Sequence, residues 1–197
     1  MKLIIASNNK KKIEELKTIL GDFFDDIISL KEAGIDHETI EDGNTFTENA
    51  LKKAREIACI SGCASVADDS GLEVDALEGA PGIYSARYAG EHGDDKANNK
   101  LLLENMKDVS DKERTARFKS VVALVLPDGR ELSAEGAVEG IILHEEKGDK
   151  GFGYDPLFFV PSLNATFAQV EAKDKHEISH RGKAVRALAA KLDGFLK

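Results

Sequence analysis

Asp68 and Asp69 stand side by side, after the apolar pair Val66-Ala67 and before Ser70-Gly71-Leu72. Adjacent carboxylates repel, and burying either without a cation is costly. A hard divalent cation removes both difficulties, because Mg²⁺ takes oxygen ligands and is commonly held by one or two carboxylates plus substrate phosphates. The run reads as a buried strand whose end carries both carboxylates into a turn; one Asp capping that turn beside a solvated neighbour is the plainer account. Glu41, before Asp42-Gly43-Asn44, is a loop carboxylate within reach of such a cation, although simple loop acidity would look the same.

Other stretches carry complementary chemistry. Ser7-Asn8-Asn9-Lys10-Lys11-Lys12 follows an apolar run and opens a helical pattern. A strand-to-helix turn aims free backbone N–H groups and the positive end of the helix dipole outward, which suits phosphate. Ser and Asn add donors and Lys adds charge. Lysines at a helix start oppose the dipole, which argues for an anion there. The Walker spacing is absent, and an Asn cap before a solvated basic turn is the plainer account. In Gly151-Phe152-Gly153-Tyr154-Asp155-Pro156 the glycines let a ligand approach the backbone. There Phe152 offers a ring to stack on a base and Asp155 an acceptor, against the alternative of a glycine-rich lead into a strand with core aromatics. Lys175 and the pair His180-Arg181 are donors suited to a carbonyl or a phosphate.

The elements that must position these residues follow from periodicity. Residues 2–6 are nearly all apolar, as in a strand buried on both faces. Ile13, Leu16, Ile19 and Leu20 predict a helix over about 10–20, capped by Asn8 or Asn9 and ended by Gly21. A second strand is expected near 26–30. Thr45-Phe46-Thr47-Glu48 has the capping-box form and precedes a helix with Ala50, Leu51, Ala54, Ile57 and Ala58 on one face. Gly79-Ala80-Pro81-Gly82 reads as a loop, and a helix follows near 94–106. Val121 to Leu126, Pro127-Asp128-Gly129 and Glu131 to Glu139 read as an antiparallel hairpin. A strand at 157–160 and a helix at about 180–194, with Ala184, Ala187, Leu188 and Leu192 inward, complete a mixed-sheet α/β or α+β domain. No linker marks a division into lobes.

Composition narrows the classes. The 197 residues suit one domain, and with 42% apolar and 32% charged residues they support a packed core. No apolar run approaches the ~20 residues of a membrane span, and Met1 to Ala6 is too short for a signal peptide, so the cytoplasm is expected. Cys59 and Cys63 lack further zinc ligands nearby and read as reduced thiols. A net charge of −9, from 27 basic and 36 acidic residues, disfavours broad contact with nucleic acid but not a small polyanion held in a local basic site with a metal.

Together the stretches resemble the inosine triphosphate pyrophosphatase family, enzymes that remove non-canonical purine nucleoside triphosphates. The matching elements are Ser7-x-Asn9-x-x-Lys12, Glu41-x-Gly43-x-Thr45-Phe46-x-Glu48-Asn49-Ala50, Asp68-Asp69-Ser70-Gly71-Leu72, Gly79 to Arg87, Gly151 to Pro156 and Ser179-His180-Arg181, in family order over nearly the whole chain. Tyr154 stands where some members carry Trp. The resemblance implies a single domain over residues 1–197: an elongated, two-lobed α/β fold around a long mixed sheet with flanking helices, its active-site cleft between the lobes. It implies a homodimer that cuts ITP, dITP and XTP between the α and β phosphates, giving the monophosphate and pyrophosphate and cleansing the pool from which DNA and RNA are made.

On that footing Glu41 and Asp69 are Mg²⁺ ligands with Asp68 helping as a third, and Asp69 accepts the proton of the attacking water, with Asp68 the other candidate base. Ser7, Asn8, Asn9, Lys10, Lys11, Lys12 and Ser70, with Lys53 and Arg87, hold the triphosphate. Phe152, in the Gly153-Tyr154 loop, stacks on the purine, and Asp155, Lys175, His180 and Arg181 read its edge. Donors at that edge suit the 6-carbonyl of hypoxanthine or xanthine and are left unpaired by adenine, a rejection that reaches ~10⁴-fold in comparable sites. The nearest rival is a septum-formation inhibitor-like pyrophosphatase acting on pyrimidine or modified nucleotides, which the Ser-His-Arg and Phe-Gly-Tyr-Asp stretches disfavour. A non-catalytic nucleotide sensor is the rival of another class, and metal-dependent turnover separates it from an enzyme.

Overall fold

Leu3, Ile4 and Ile5 are almost wholly buried, so the first strand is covered on both faces, as its unbroken apolar run predicts. The structure is a computed structural model and describes the backbone throughout, with every side chain except those of Lys11, Ala172, Lys173 and His176. In chain order the strands and helices are β1 (Lys2–Ile5), α1 (Lys10–Leu20), β2 (Asp26–Ser29), α2 (Phe46–Ser61), β3 (Ala64–Val74) and α3 (Asp95–Asn105). Then come β4 (Thr115–Val125), β5 (Glu131–Ile142), β6 (Phe158–Val160), β7 (Ala165–Thr166), α4 (Ala172–Ile178) and α5 (His180–Phe195). The strands form a 7-stranded sheet in the order β2-β1-β3-β4-β5-β6-β7. β1 runs parallel to β2 and β3, while β6 is antiparallel to β5 and β7. The sheet is therefore mixed and flanked by helices, the expected α/β class.

The chain forms two compact units. The first comprises Met1–Asp69, Ser120–Gly136 and His180–Lys197. Alternation along its strands divides its core: Leu3, Ile5, Ala64 and Val66 pack with Leu16 of α1 and Ala184 and Leu188 of α5. Ile4, Ala6 and Ala67 point the other way and pack with Ala54 and Ile57 of α2. The second unit comprises Ser70–Lys119 and Ala137–Ser179. Leu72, Val74, Leu102, Met106 and the rings of Phe118, Phe158 and Phe167 form its core, with Phe118 and Phe158 centroids 4.5 Å apart.

The helix ends follow the sequence signals with one adjustment. Asn9 Oδ1 accepts from the Lys12 N–H at 3.3 Å and caps α1. Thr45 Oγ1 accepts from the Glu48 N–H at 3.1 Å, but the Glu48 carboxylate accepts from the Asn44 N–H at 2.7 Å instead of closing the box on Thr45. The hairpin reaches further than expected: Ala116, Phe118 and Ser120 alternate inward, so β4 starts at Thr115. β7 and α4 are too short for a periodic pattern to disclose. Both cysteines are free, and among the described residues no helix is long and apolar enough to cross a membrane.

Candidate active site

The expected turn at Asp68-Asp69 is absent: both lie inside the 11-residue β3. The strand continues because the apolar alternation resumes at Leu72 and Val74, both fully buried. Successive strand residues face opposite ways, so the two carboxylates diverge. Asp68 shares the face of Ala64 and Val66, covered by α1 and α5; Asp69 shares the face of Ala67, covered by α2. They are 2% and 7% exposed, so each draws a cation from the helix above it.

On the first face Lys12 Nζ lies 3.0 Å from Asp68, and Arg181 Nε donates to Asp68 at 2.9 Å. Arg181 Nη1 donates to Glu15 at 3.0 Å, closing a buried set of alternating charges. Burial works to raise the Asp68 carboxyl, but the charges of Lys12, Arg181 and Lys53 hold it far below the ordinary range. Burial lowers the Lys12 ammonium, opposed by Asp68 and assisted by Arg181. On the second face Lys53 Nζ donates to Glu41 at 2.7 Å and to Asp69 at 3.0 Å. Burial raises the Asp69 carboxyl; Lys53 opposes the shift and Glu41 adds to it.

Glu41 is delivered by a loop fastened to α2. The Gly43 N–H donates to Asn49 Oδ1 at 2.8 Å. A Cβ on Gly43 would lie 2.6 Å from that oxygen, so the close approach needs glycine. Asn49 belongs to the matching Glu41-to-Ala50 element, and the structure gives it a part that the motif alone does not: it holds the Glu41 loop to α2.

The donor set fits Mg²⁺. Asp69 Oδ2 is buried with no hydrogen-bond partner among the described residues, and Glu41 meets Asp69 at Lys53. Two carboxylate oxygens, with phosphates and waters completing the shell, suit that ion. Asp68, expected as a third ligand, is turned to the opposite face, and among the described residues no three His, Cys, Asp or Glu side chains gather.

The Ser7 to Lys12 turn sits at the start of α1, whose first turn holds no acidic residue. Ser7 Oγ accepts from the Asn9 N–H at 3.2 Å, while Asn8, Asn9 and Lys10 are exposed. The side chain of Lys11, expected at the phosphates, lies outside the described residues. His180 and Arg181 open α5 and are buried in the first unit. The guanidinium expected to read a purine edge is thus engaged by Asp68 and Glu15. Glu15 was missed, although it stands three residues from Lys12, on the same helical face.

In the second unit the loop through Phe152 gathers the other expected residues. Asp155 Oδ2 accepts from the Phe152 N–H at 3.0 Å and from Lys175 Nζ. Lys175 Nζ lies 5.1 Å from the Phe152 ring centroid and 5.0 Å from that of Phe167, within cation–π range of both. Phe152 is 39% exposed, whereas Tyr154 is taken into the core and donates its hydroxyl to the Ser85 carbonyl at 2.9 Å. Gly151 has φ of +77°, and a Cβ there would fall 2.0 Å from Asp155 Oδ2. Ser70, the first residue of this unit, is half-buried.

The Ham1 family pattern matches residues 3–191. The chain is 54% identical to the dITP/XTP pyrophosphatase of Clostridium perfringens, over 100% of this chain and 99% of that protein. It is 53% identical to the dITP/XTP pyrophosphatase of Desulforamulus reducens, over 94% and 92% of the two chains. The solved Ham1 protein of Staphylococcus aureus superposes with a TM-score of 0.90 at 42% identity, covering 99% of this chain and 100% of that one. The resemblance carried by the ordered motifs is borne out, and the chain belongs to the Ham1 family.

Proposed function

We propose that this protein is a Mg²⁺-dependent dITP/XTP pyrophosphatase that cuts ITP, dITP and XTP to the nucleoside monophosphate and pyrophosphate. The observation that carries the reading is the junction of Glu41, Lys53 and Asp69, where a buried carboxylate oxygen without a hydrogen-bond partner among the described residues stands beside a second carboxylate and an ammonium. Relatives named dITP/XTP pyrophosphatase at about half identity over the full length support the substrate class.

Glu41 and Asp69 would hold Mg²⁺, which offsets charge on the phosphate oxygens when bound. Asp69 receives the proton of the attacking water; Asp68, paired with two cations on the other face of β3, does not compete for it. Lys53 keeps the two carboxylates together and supplies positive charge for the triphosphate. Ser7, Asn8, Asn9, Lys10 and Lys12 present donors and charge to the phosphates from the start of α1, with Ser70 adding a hydroxyl. Phe152 stacks on the purine, and Lys175, aimed by Asp155, donates to the 6-carbonyl, with His180 a further donor to the purine edge. Arg181 acts through Asp68. We further assign the protein to the cytoplasm as a homodimer, with no nucleic-acid or membrane partner, protecting DNA and RNA from non-canonical purines.

The test is product analysis with ITP, dITP, XTP, dGTP, ATP and dTTP, with Mg²⁺ and with chelator. Monophosphate plus pyrophosphate from the first three, lost on chelation and in Asp69→Asn at unchanged melting temperature, is expected. Single phosphate release, or preference for dTTP, would overturn the substrate assignment.

A further inference from the structure

Gly153 lies between the stacking ring of Phe152 and the core ring of Tyr154, with φ of +61°. Both peptide groups that meet at it are held from one helix. Its N–H donates to the Asp95 carboxylate at 2.7 Å, and its carbonyl accepts from Asn99 Nδ2 at 3.2 Å. Asp95 and Asn99 are four residues apart on α3, hence on one helical face. The Asn99 amide also donates to Glu146 at 2.8 Å, which fixes its orientation. The helix is itself anchored: Asp94 caps it by accepting from the Ala97 N–H at 3.0 Å, and Asn98 Oδ1 accepts from the Ala89 N–H at 2.8 Å.

The loop hung on this residue is a closed set of contacts. The Phe152 N–H and Lys175 Nζ both donate to Asp155 Oδ2, and the same Nζ lies over the Phe152 ring. Glycine has the widest backbone freedom of any residue, so Gly153 is where this set would come loose. Asn is a poor helix former in a helix interior. Nevertheless Asn98 and Asn99 are both buried there and spend their side chains on loop backbone.

We propose that Asp95 and Asn99 are positioning residues for the nucleobase: they clamp both peptide groups at Gly153 and thereby fix Phe152, Asp155 and Lys175 without touching the base. The proposal rests on the assignment of Phe152 and Lys175 to the purine. Fixing one backbone residue is worth about tenfold in an equilibrium, and that factor is what the clamp contributes to substrate affinity.

The experiment measures kcat and KM for ITP and ATP in Asp95→Ala, Asp95→Asn and Phe152→Ala, and places Asp95→Ala in a Phe152→Trp background. The chain has no Trp, so that indole reports on the loop alone. Asp95→Ala is expected to raise KM for ITP about tenfold while kcat changes little, to narrow the ITP-to-ATP ratio and to lower the indole's anisotropy. Asp95→Asn, whose amide oxygen still accepts, is expected to restore KM and the ratio. If Phe152→Ala raises KM but Asp95→Ala leaves KM and anisotropy unchanged, the clamp is overturned and the base assignment survives. If Phe152→Ala leaves KM unchanged, the base assignment fails and takes the clamp with it.

Discussion

Arg181→Ala separates two roles for one guanidinium. Its Nε donates to Asp68 at 2.9 Å and its Nη1 to Glu15 at 3.0 Å, with all three side chains buried. Truncation leaves both carboxylates in the interior without this donor, although Asp68 retains Lys12 at 3.0 Å. Removing one partner from a buried pair costs about 3–5 kcal/mol, far above the ~0–1 kcal/mol of an exposed pair. At about 2–4 °C per kcal/mol for a chain of this size, the melting temperature should fall by roughly 6–20 °C. Urea denaturation gives the free energy, and Glu15→Met with Arg181→Met should recover part of the loss, because one orphaned charge leaves with its partner. Folded Arg181→Ala should raise KM for ITP and ATP alike, because the Asp68–Lys12 anchor at the start of α1 loosens, and should keep the ITP-to-ATP ratio. A loss below about 1 kcal/mol, together with a narrowed ratio, would return Arg181 to the purine edge and refute the ion-network account.

Other perturbations test separate parts of the frame. Gly151→Ala forces a left-handed residue against Asp155, a strain of about 1–3 kcal/mol; it should appear as a higher KM for ITP, and an unaltered KM would detach the Phe152 loop from binding. Arg114 is buried and donates to the carbonyls of Met106, Val109, Ile142 and Leu143. Arg114→Lys gives up part of that fork and should cost about 2–4 kcal/mol in urea titration, whereas a neutral result would show that a single ammonium suffices. The Glu32 carboxyl is pulled from 4.5 to about 2, first by the Ser29 N–H, then by the Ser29 hydroxyl and Lys17. A depressed folded pKa stabilises above the unfolded value, so the Glu32→Gln deficit should be full above pH 4.5 and fade toward about 2. A deficit constant across that window would mean that the carboxylate charge contributes nothing.

The chemistry-bearing residue types were legible because few bland arrangements need them; their partners were not, because partners are a matter of tertiary contact. The helices over Lys10–Leu20 and His180–Phe195 and the apolar first strand followed from periodicity alone. Asp68-Asp69 misled: two adjacent carboxylates look like a turn until Leu72 and Val74 are seen to continue the alternation. Glu15 carried a signal in its spacing from Lys12, but a Glu within an amphipathic helix usually marks the solvated face, and only the arrival of Arg181 from 166 residues away makes it interior. Asn99 was illegible for the same reason, since its acceptor lies 54 residues on.

The strand explains how neighbouring residues of one type take different work. In a turn both carboxylates would face one solvent pocket, compete for one cation and shift each other's titration. In β3 the backbone directs them to opposite faces, and the helix covering each face decides its state. α1 and α5 bring Lys12 and Arg181 to Asp68 and hold it ionised as an anchor of the phosphate-facing turn. α2 brings a single ammonium to two carboxylates, so Asp69 stays under-compensated and is pushed upward, first by burial. Exchanging the partners should therefore matter more than exchanging the carboxylates. Lys53→Met takes from Asp69 and Glu41 the ammonium they share and should abolish turnover while leaving Asp68, Arg181 and Glu15 in place.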